Sequence, residues 1–353
     1  MRLPVLYLTC GFILLLSLSS TQAQTLSNCE PSPPLPPNPK PGVANLTVTR
    51  DGKTLVVAGG DGKIRFIDIN TGEVRRTLLA HTNVVYKTIF TSNEKLMATS
   101  SRDRTAKIWD VGSGQELRQL AGFRCSVKAV AFSPNEQLIA ASGNDGMLKL
   151  WDVKTGTELK SLVHKNSADI DMATYAFVFS RDGKKIYAAN GDGTISEWDV
   201  ASGQELRSWN AHPVSALKLM FTPDYKLLVS FGDSVVKFWD TATGREVRTL
   251  PLPQIDGVRV ISSELAFSHN GKLMAASEVG VDTKQNSYAY IRALVWNVKT
   301  GEKLFTIEGH KFDINGLVFT RDDRFLLTGS VDRTIAFWDM KTGKKVRTIQ
   351  LVQ

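Results

Sequence analysis

The sequence predicts an all-β protein built from seven copies of one unit, and three observations carry that expectation. One signal recurs: an apolar run, then Trp-Asp or a near copy, then a Thr-Gly or Ser-Gly turn. The copies are Ile67-Asp68, Trp109-Asp110, Trp151-Asp152, Trp198-Asp199, Trp239-Asp240, Trp296-Asn297 and Trp338-Asp339, spaced 42, 42, 47, 41, 57 and 42 residues apart. Six of the seven Trp residues stand in this single column. Strand-like runs at 55–58, 138–141 and 326–328 are short and apolar. Asp-Gly or Asn-Gly turns at Asp51, Asp61, Asp145, Asp182, Asp192 and Asn270 punctuate the chain between such runs. No helical period of useful length interrupts them.

A period in the low forties ending in Trp-Asp resembles the WD40 repeat, in which each copy builds one propeller blade. The resemblance covers residues 43 to 353 and implies a seven-bladed β-propeller with four antiparallel strands per blade. On this reading strand A follows the His, strand B follows the next tight turn, strand C ends in Trp-Asp and strand D follows Thr-Gly. Blade 1 takes residues 43–79 and blade 7 takes residues 314–350. Each blade packs only on its neighbours, so about 310 residues need no single large core. Seven D strands already follow the seven Trp-Asp copies. The residues before Val43 are too rich in Pro to join a sheet interior. The ring is therefore expected to close without lending an N-terminal strand to the last blade.

Six residues before the Trp column comes an Asp in a tight turn, at Asp61, Asp103, Asp145, Asp192, Asp233 and Asp332. In two blades a His lies 22 residues further upstream, at His81 and His310. Blade 5 keeps the trio with one residue fewer, as His212, Asp233 and Trp239. The resemblance implies that such a His, Asp and Trp join a strand Ser or Thr in a buried hydrogen-bond network. The candidates are Thr99 or Ser101 with His81, Asp103 and Trp109, and Thr328 or Ser330 with His310, Asp332 and Trp338. An imidazole, a carboxylate and an indole N–H can satisfy one another once buried. Blade 3 places Phe123 in the His column, blade 1 places Ile67 in the Trp column, and blade 6 has Tyr290 where the Asp would fall.

The N-terminus reads as an export signal over residues 1–23. Arg2 is followed by an apolar run from Leu3 to Leu18 and by small residues before a cut after Ala23. A membrane anchor is the alternative, but the run is shorter than a span needs and no basic patch follows it. No other run is long and apolar enough to cross. An exported protein, periplasmic or secreted and of bacterial type, is the expectation; anchoring to the envelope through the N-terminus is the variant of it. Residues 24–42 form a linker, with seven Pro among residues 31 to 41. This stretch should be extended polyproline II, serving as a stiff spacer, a surface strap or a plain exposed tail. Cys29 and Cys125 remain once Cys10 leaves with the signal, and they could form a disulfide. Cys29 is also a candidate lipidation site, although Asn28 fits that motif poorly. Asn45-Leu46-Thr47 is a glycosylation sequon, discounted because it falls in an expected inner strand.

Lys and Arg number 43 against 35 acids, a net charge of +8. The basic residues recur in the outer strands at Arg76, Arg118, Lys160, Arg207, Arg248 and Arg347. Most have a Glu two residues earlier, which suggests a solvated belt of mixed charge rather than a nucleic-acid face. No His or Cys pair has metal-ligand spacing and no Gly-x-Ser-x-Gly elbow occurs. Gly-Gly-Asp-Gly at 59–62 and Asn-Gly-Asp-Gly at 190–193 lead into strands, so they are hairpin turns and not phosphate cradles. No catalytic residues, metal or cofactor are expected.

What remains is a binding module. Residues beyond the 42-residue norm gather at His164–Met172, Pro251–Val260 and Glu278–Tyr290. D-to-A and B-to-C connections emerge at the same end of a propeller, so all three insertions decorate one face over blades 4 to 6. Repeat proteins place binding on such a face, although neutral loop growth would look the same. The expected activity is a non-catalytic scaffold that holds a protein or peptide there. An enzyme or small-ligand receptor using the central channel is the alternative. The candidate contact residues are Arg102, Arg104, Phe123, Arg124, Phe231, Tyr288, Tyr290, Lys311, Phe312 and Arg333. Phe123 and Phe231 could equally fill space inside the fold.

Overall fold

Each Trp-Asp unit folds into one antiparallel sheet whose four strands are consecutive in sequence and lie in chain order. The computed structural model describes residues 35–36, 39, 41–164, 173–233, 235–253, 255–285 and 287–352. The expected signal, Cys29 and the insertion at 165–172 lie outside these residues. Seven sheets result, over residues 43–79, 85–120, 127–163, 174–210, 218–251, 258–308 and 314–350. The first strands of successive blades adjoin around the axis, and the first strand of blade 1 meets that of blade 7. The molecule is an all-β seven-bladed propeller.

The core lies between blades. Seven apolar clusters occur, one for each neighbouring pair. The alternation of the middle strands supplies both sheet faces with apolar side chains, so each blade is buried from two sides. Blades 1 and 7 meet through Val43, Leu46 and Leu55 against Leu327, Phe337 and Ile349. Blade 7 is built wholly from residues 314–350, so the ring closes without strand exchange. Asn45 is buried and accepts hydrogen bonds from Thr88, as expected for an inner strand.

The outer belt differs from its expected form. Glu116, Glu158 and Glu246 pair with a Lys on the neighbouring C strand, Lys107 at 2.9 Å, Lys149 at 3.0 Å and Lys237 at 2.9 Å. The D-strand Arg instead reaches the turn after strand C in the next blade. Arg76 donates to Val111 O at 2.6 Å, Arg118 to Lys154 O at 2.8 Å and Arg248 to Val298 O at 2.7 Å. A planar guanidinium on a long stem can span the gap between sheets, where a two-residue offset along one strand cannot.

The largest insertion is sheet, not loop. Blade 6 has strands Val258–Phe267, Leu273–Asp282 and Ser287–Asn297, of 10, 10 and 11 residues. Pairing continues through Glu278↔Arg292, Val279↔Ile291 and Gly280↔Tyr290 to Asp282↔Ser287. D-to-A connections and B-to-C turns do share one end: Arg102 N donates to Val84 O at 2.9 Å, Asn144 N to Ser126 O at 2.9 Å and Val331 N to Asp313 O at 3.0 Å. We call this end the loop face.

Candidate functional site

The turn networks anchor the loop face from below. In blade 2, the Thr99 hydroxyl accepts from Trp109 Nε1 at 2.9 Å and lies 2.7 Å from His81 Nε2. His81 Nδ1 lies 2.8 Å from Asp103. Blade 7 repeats this with Thr328, Trp338, His310 and Asp332 at 2.8, 2.7 and 3.0 Å. Thr99 and Thr328 therefore take the bridging role, and Ser101 and Ser330 donate to backbone carbonyls instead. Burial would raise the Asp103 carboxyl, but hydrogen bonds from His81 and Thr105 outweigh it and hold the pKa down to about 2. Asp332 is opposed by burial in the same way and held well below the usual range by His310, Thr334 and the Lys311 N–H.

Blade 5 departs from the expected trio. Ser230 bridges Trp239 and His212 at 2.8 Å each, but Asp233 turns to the backbone N–H groups of Val214 and Ser215. The one-residue deletion between His and Asp breaks that link, and His212 Nδ1 is buried with no hydrogen-bond partner among the described residues. Burial, only partly opposed by Asp233, lowers the His212 pKa to about 4.

Two substitutes were not legible from the repeat. His164 sits in blade 4, with Nδ1 3.0 Å from Glu205 and Nε2 3.5 Å from Asp192. The insertion after it displaces it from the sequence column that His81 and His310 define. In blade 1, Asp61 lacks a His and holds a buried ion pair with Arg65 at 2.6 Å.

The candidate contact residues divide. Phe231 is fully buried, and Phe123 is buried with its ring centroid 5.8 Å from that of Trp151. Both are corrected from surface to core: an apolar ring in the His or strand column gains more from packing than from solvent. Arg102 is half-buried and engaged by its neighbours. Tyr290 is half-buried under the guanidinium of Arg292, 4.0 Å from its ring centroid, and Arg292 pairs with the buried Glu278. Tyr288 and Phe312 are exposed, at 40% and 48%, and form an edge-on pair with centroids 6.5 Å apart. Tyr288 also bonds the Asp313 carboxyl, which burial raises above its usual pKa. Lys311 and Arg124 are exposed on the same face.

Arg104 and Arg333 have positive φ, 72° each, at the turn position where blades 1, 3 and 4 carry Gly62, Gly146 and Gly193. Neither guanidinium makes a hydrogen bond or ion pair among the described residues. Four acids or aromatics with positive φ stand at the opposite end. Of these, Glu94, Glu136 and Asp323 have a structural reason: their carboxylates accept backbone N–H groups of the preceding blade, from Arg50 at 2.6 Å, from Ser92 and from His269 at 2.6 Å.

Leu35, Pro36 and Pro39 of the Pro-rich segment line a cavity of about 590 Å³ on this face with Asp61, Leu79, His81 and Lys107. These described residues thus lie along blades 1 and 2. The Cys125 sulfur is in a disulfide; Cys29, its expected partner, lies outside the described residues. Among the described residues no group of three or more His, Cys, Asp or Glu is arranged to hold a metal ion, and no helix is long and apolar enough to cross a membrane.

Comparison with known proteins agrees with this architecture. A family profile described as WD domain, G-beta repeat matches residues 72–110 and 301–339. One described as Nucleolar protein 10-like, N-terminal domain, a β-propeller, matches residues 119–295, half of the chain. WD repeat-containing protein 41 of Mus musculus is 34% identical over 67 residues, 17% of this chain and 15% of that protein. The Homo sapiens protein of the same name matches to the same extent. Lissencephaly-1 homolog 1 of Paramecium tetraurelia is 38% identical over 56 residues, 16% of this chain and 14% of that protein. The match spans only about a seventh of these relatives' length. All three are eukaryotic, so they lend no support to the bacterial origin expected from the leader.

Proposed function

The chain belongs to the WD40 β-propeller family, represented over half its length by the Nucleolar protein 10-like N-terminal domain, and from that premise we propose that it is a non-catalytic scaffold whose loop face holds a protein or peptide. The observation that carries this reading is the pair Arg104 and Arg333. A non-Gly residue at such a φ costs on the order of 1–2 kcal/mol, and sister blades avoid the cost with Gly. Neither side chain is used within the described fold, so the strain favours a use outside it. The exposed Tyr288–Phe312 pair adds the residue type that dominates interface energy, beside the exposed Lys311. The face thus shifts from blades 4–6 toward blades 6, 7 and 2.

Export follows in the same proposal from the leader read at 1–23, which places the partner in the periplasm or outside the cell. Mass spectrometry of the protein recovered from fractionated cells tests it. An N-terminus at Gln24 in the exported fraction supports export; an intact Met1 in the cytosol rules it out.

The scaffold reading is tested by affinity capture. Wild type is compared with an Arg104→Gly, Arg333→Gly, Phe312→Ala variant of equal melting temperature. A partner held by wild type and lost by the variant supports the loop face. Equal capture by both removes that face as the site.

A further inference from the structure

In six blades strand D covers strand C to its first residue, through Lys63↔Leu79, Ala106↔Leu120, Met147↔Val163, Thr194↔Asn210, Val235↔Pro251 and Thr334↔Gln350. Blade 6 departs from this. There strand D covers strand C only from Arg292↔Glu308, whereas strand B pairs with strand C as far as Asp282↔Ser287. Residues 287–291 therefore form an open outer sheet edge that rises from the loop face. Their sequence, Ser-Tyr-Ala-Tyr-Ile, is rich in residues that favour strands. Each strand D, the outer edge elsewhere in the ring, carries at least one Lys, Arg or Glu. Charges of this kind keep an edge from pairing with another chain. Residues 287–291 have neither a charge nor a Pro; the guard they carry is a one-residue bulge at Ala289. The strand C–D pairs of all seven blades hold together across a one-residue shift, so a bulge does not forbid pairing.

The edge is held in shape before anything pairs with it. Val279 and Val281 behind it are buried, and Ile291 packs on the cluster shared with blade 7. Gly280 leaves room for the Tyr290 ring, which a Cβ there would meet at 2.4 Å. Arg292, paired with the buried Glu278, lies over that ring. Tyr288 is braced edge-on by Phe312. Ser287, Tyr288 and Ala289 remain exposed. Little ordering is left to be done on pairing. A strand that adds here must bring an open edge of its own. Every copy of this chain brings one, of matching length. A two-fold axis pairs two such edges antiparallel and sets each side chain near its own counterpart. Like charges set opposite each other would repel, and this edge has none.

We propose that residues 287–291 pair antiparallel with the same residues of a second copy, joining two blade 6 sheets across a two-fold axis near Ala289. The contact is short, so the association is reversible and in the micromolar range rather than obligate. It does not rest on the scaffold reading, because it uses backbone groups of one strand and neither Arg104 nor Arg333.

Sedimentation velocity of the purified protein over a concentration series tests the proposal. A monomer–dimer equilibrium is expected. Ala289→Lys sets two like charges near the axis and should weaken it by about fivefold or more at unchanged melting temperature. Mixing Ala289→Lys with Ala289→Glu should restore association, which a merely damaged fold would not. Ala289→Cys should give a disulfide-linked dimer on mild oxidation. Ala201→Cys, on an exposed turn at the opposite end, should not. Arg104→Gly should leave the dimer unchanged, which separates this edge from the scaffold site. A monomer at every concentration overturns the proposal and leaves the edge to a strand of another protein. A dimer that Ala289→Lys does not weaken, or equal crosslinking from positions 201 and 289, overturns it as well. Should Ala289→Lys fail to fold, the crosslinking comparison decides the matter in its place.

Discussion

Arg347, in the last strand of the chain, donates from Nη1 to the backbone oxygen of Ile69 in the first blade at 2.8 Å. The same relation joins Arg76 to Val111 and Arg248 to Val298 inside the ring. At Arg347 it joins the two ends, across the seam that side-chain packing closes. Replacing Arg347 with Met should lower unfolding stability by about 1 kcal/mol, read by urea denaturation. Gly72→Ala should act in the same direction, because its φ is +82° and an added Cβ would lie 2.8 Å from Arg347 Nη2. Unchanged stability in both would mean that the apolar seam alone closes the ring.

Thr328 serves two buried partners, Trp338 Nε1 and His310 Nε2. Thr328→Val leaves both without it and should cost about 1–3 kcal/mol. Trp338→Ala should cost about 3–5 kcal/mol. Calorimetric melts check both. A variant that loses partner binding at unchanged melting temperature would show the network to be part of the binding surface.

The broken network of blade 5 sets a pH dependence. Folded His212 titrates at about 4, against 6.5 for a free imidazole. The folded state resists the proton, so this contribution is whole above 6.5 and is lost as pH falls from 6.5 toward 4. The loss is on the order of 2–3 kcal/mol. Asp103 contributes with the same sign in a lower window, whole above 3.8 and lost as pH falls toward 2. Unfolding stability measured by denaturation from pH 7 down to 4.5 should therefore fall in wild type and stay flatter in His212→Gln. Parallel profiles would show that the orphaned Nδ1 finds a partner in solution.

Much of this was legible from the repeat. Trp-Asp spacing gave blade number and strand order because each turn chemistry recurs at fixed offset. The His81 and His310 networks followed because their offset is intact. His164 did not, because an insertion follows it, and Arg65 did not, because its pairing with Asp61 belongs to one blade alone. The fate of Phe123 and Phe231 depended on neighbouring blades, which a linear pattern does not display. Nor does spacing reveal backbone sign: Arg104 and Arg333 read as ordinary surface cations until their φ values set them beside Gly62 and Gly193.

Those two residues should trade stability against binding. Arg104→Gly and Arg333→Gly relieve a strained φ, offset by the greater freedom Gly brings to the unfolded chain. The net should lie between neutral and about 1 kcal/mol stabilising, while partner affinity falls. Melting temperatures that drop in both would mean that the Arg side chains support the fold.

Site-specific photo-crosslinking tests the scaffold claim most directly. A benzophenone side chain placed at Phe312 on the loop face is compared with one at Tyr225, 48% exposed on a turn at the other end. Irradiation with the partner mixture is expected to yield a discrete adduct from position 312 and none from position 225. An adduct from 225 alone, or equally from both, would contradict a partner site on the loop face.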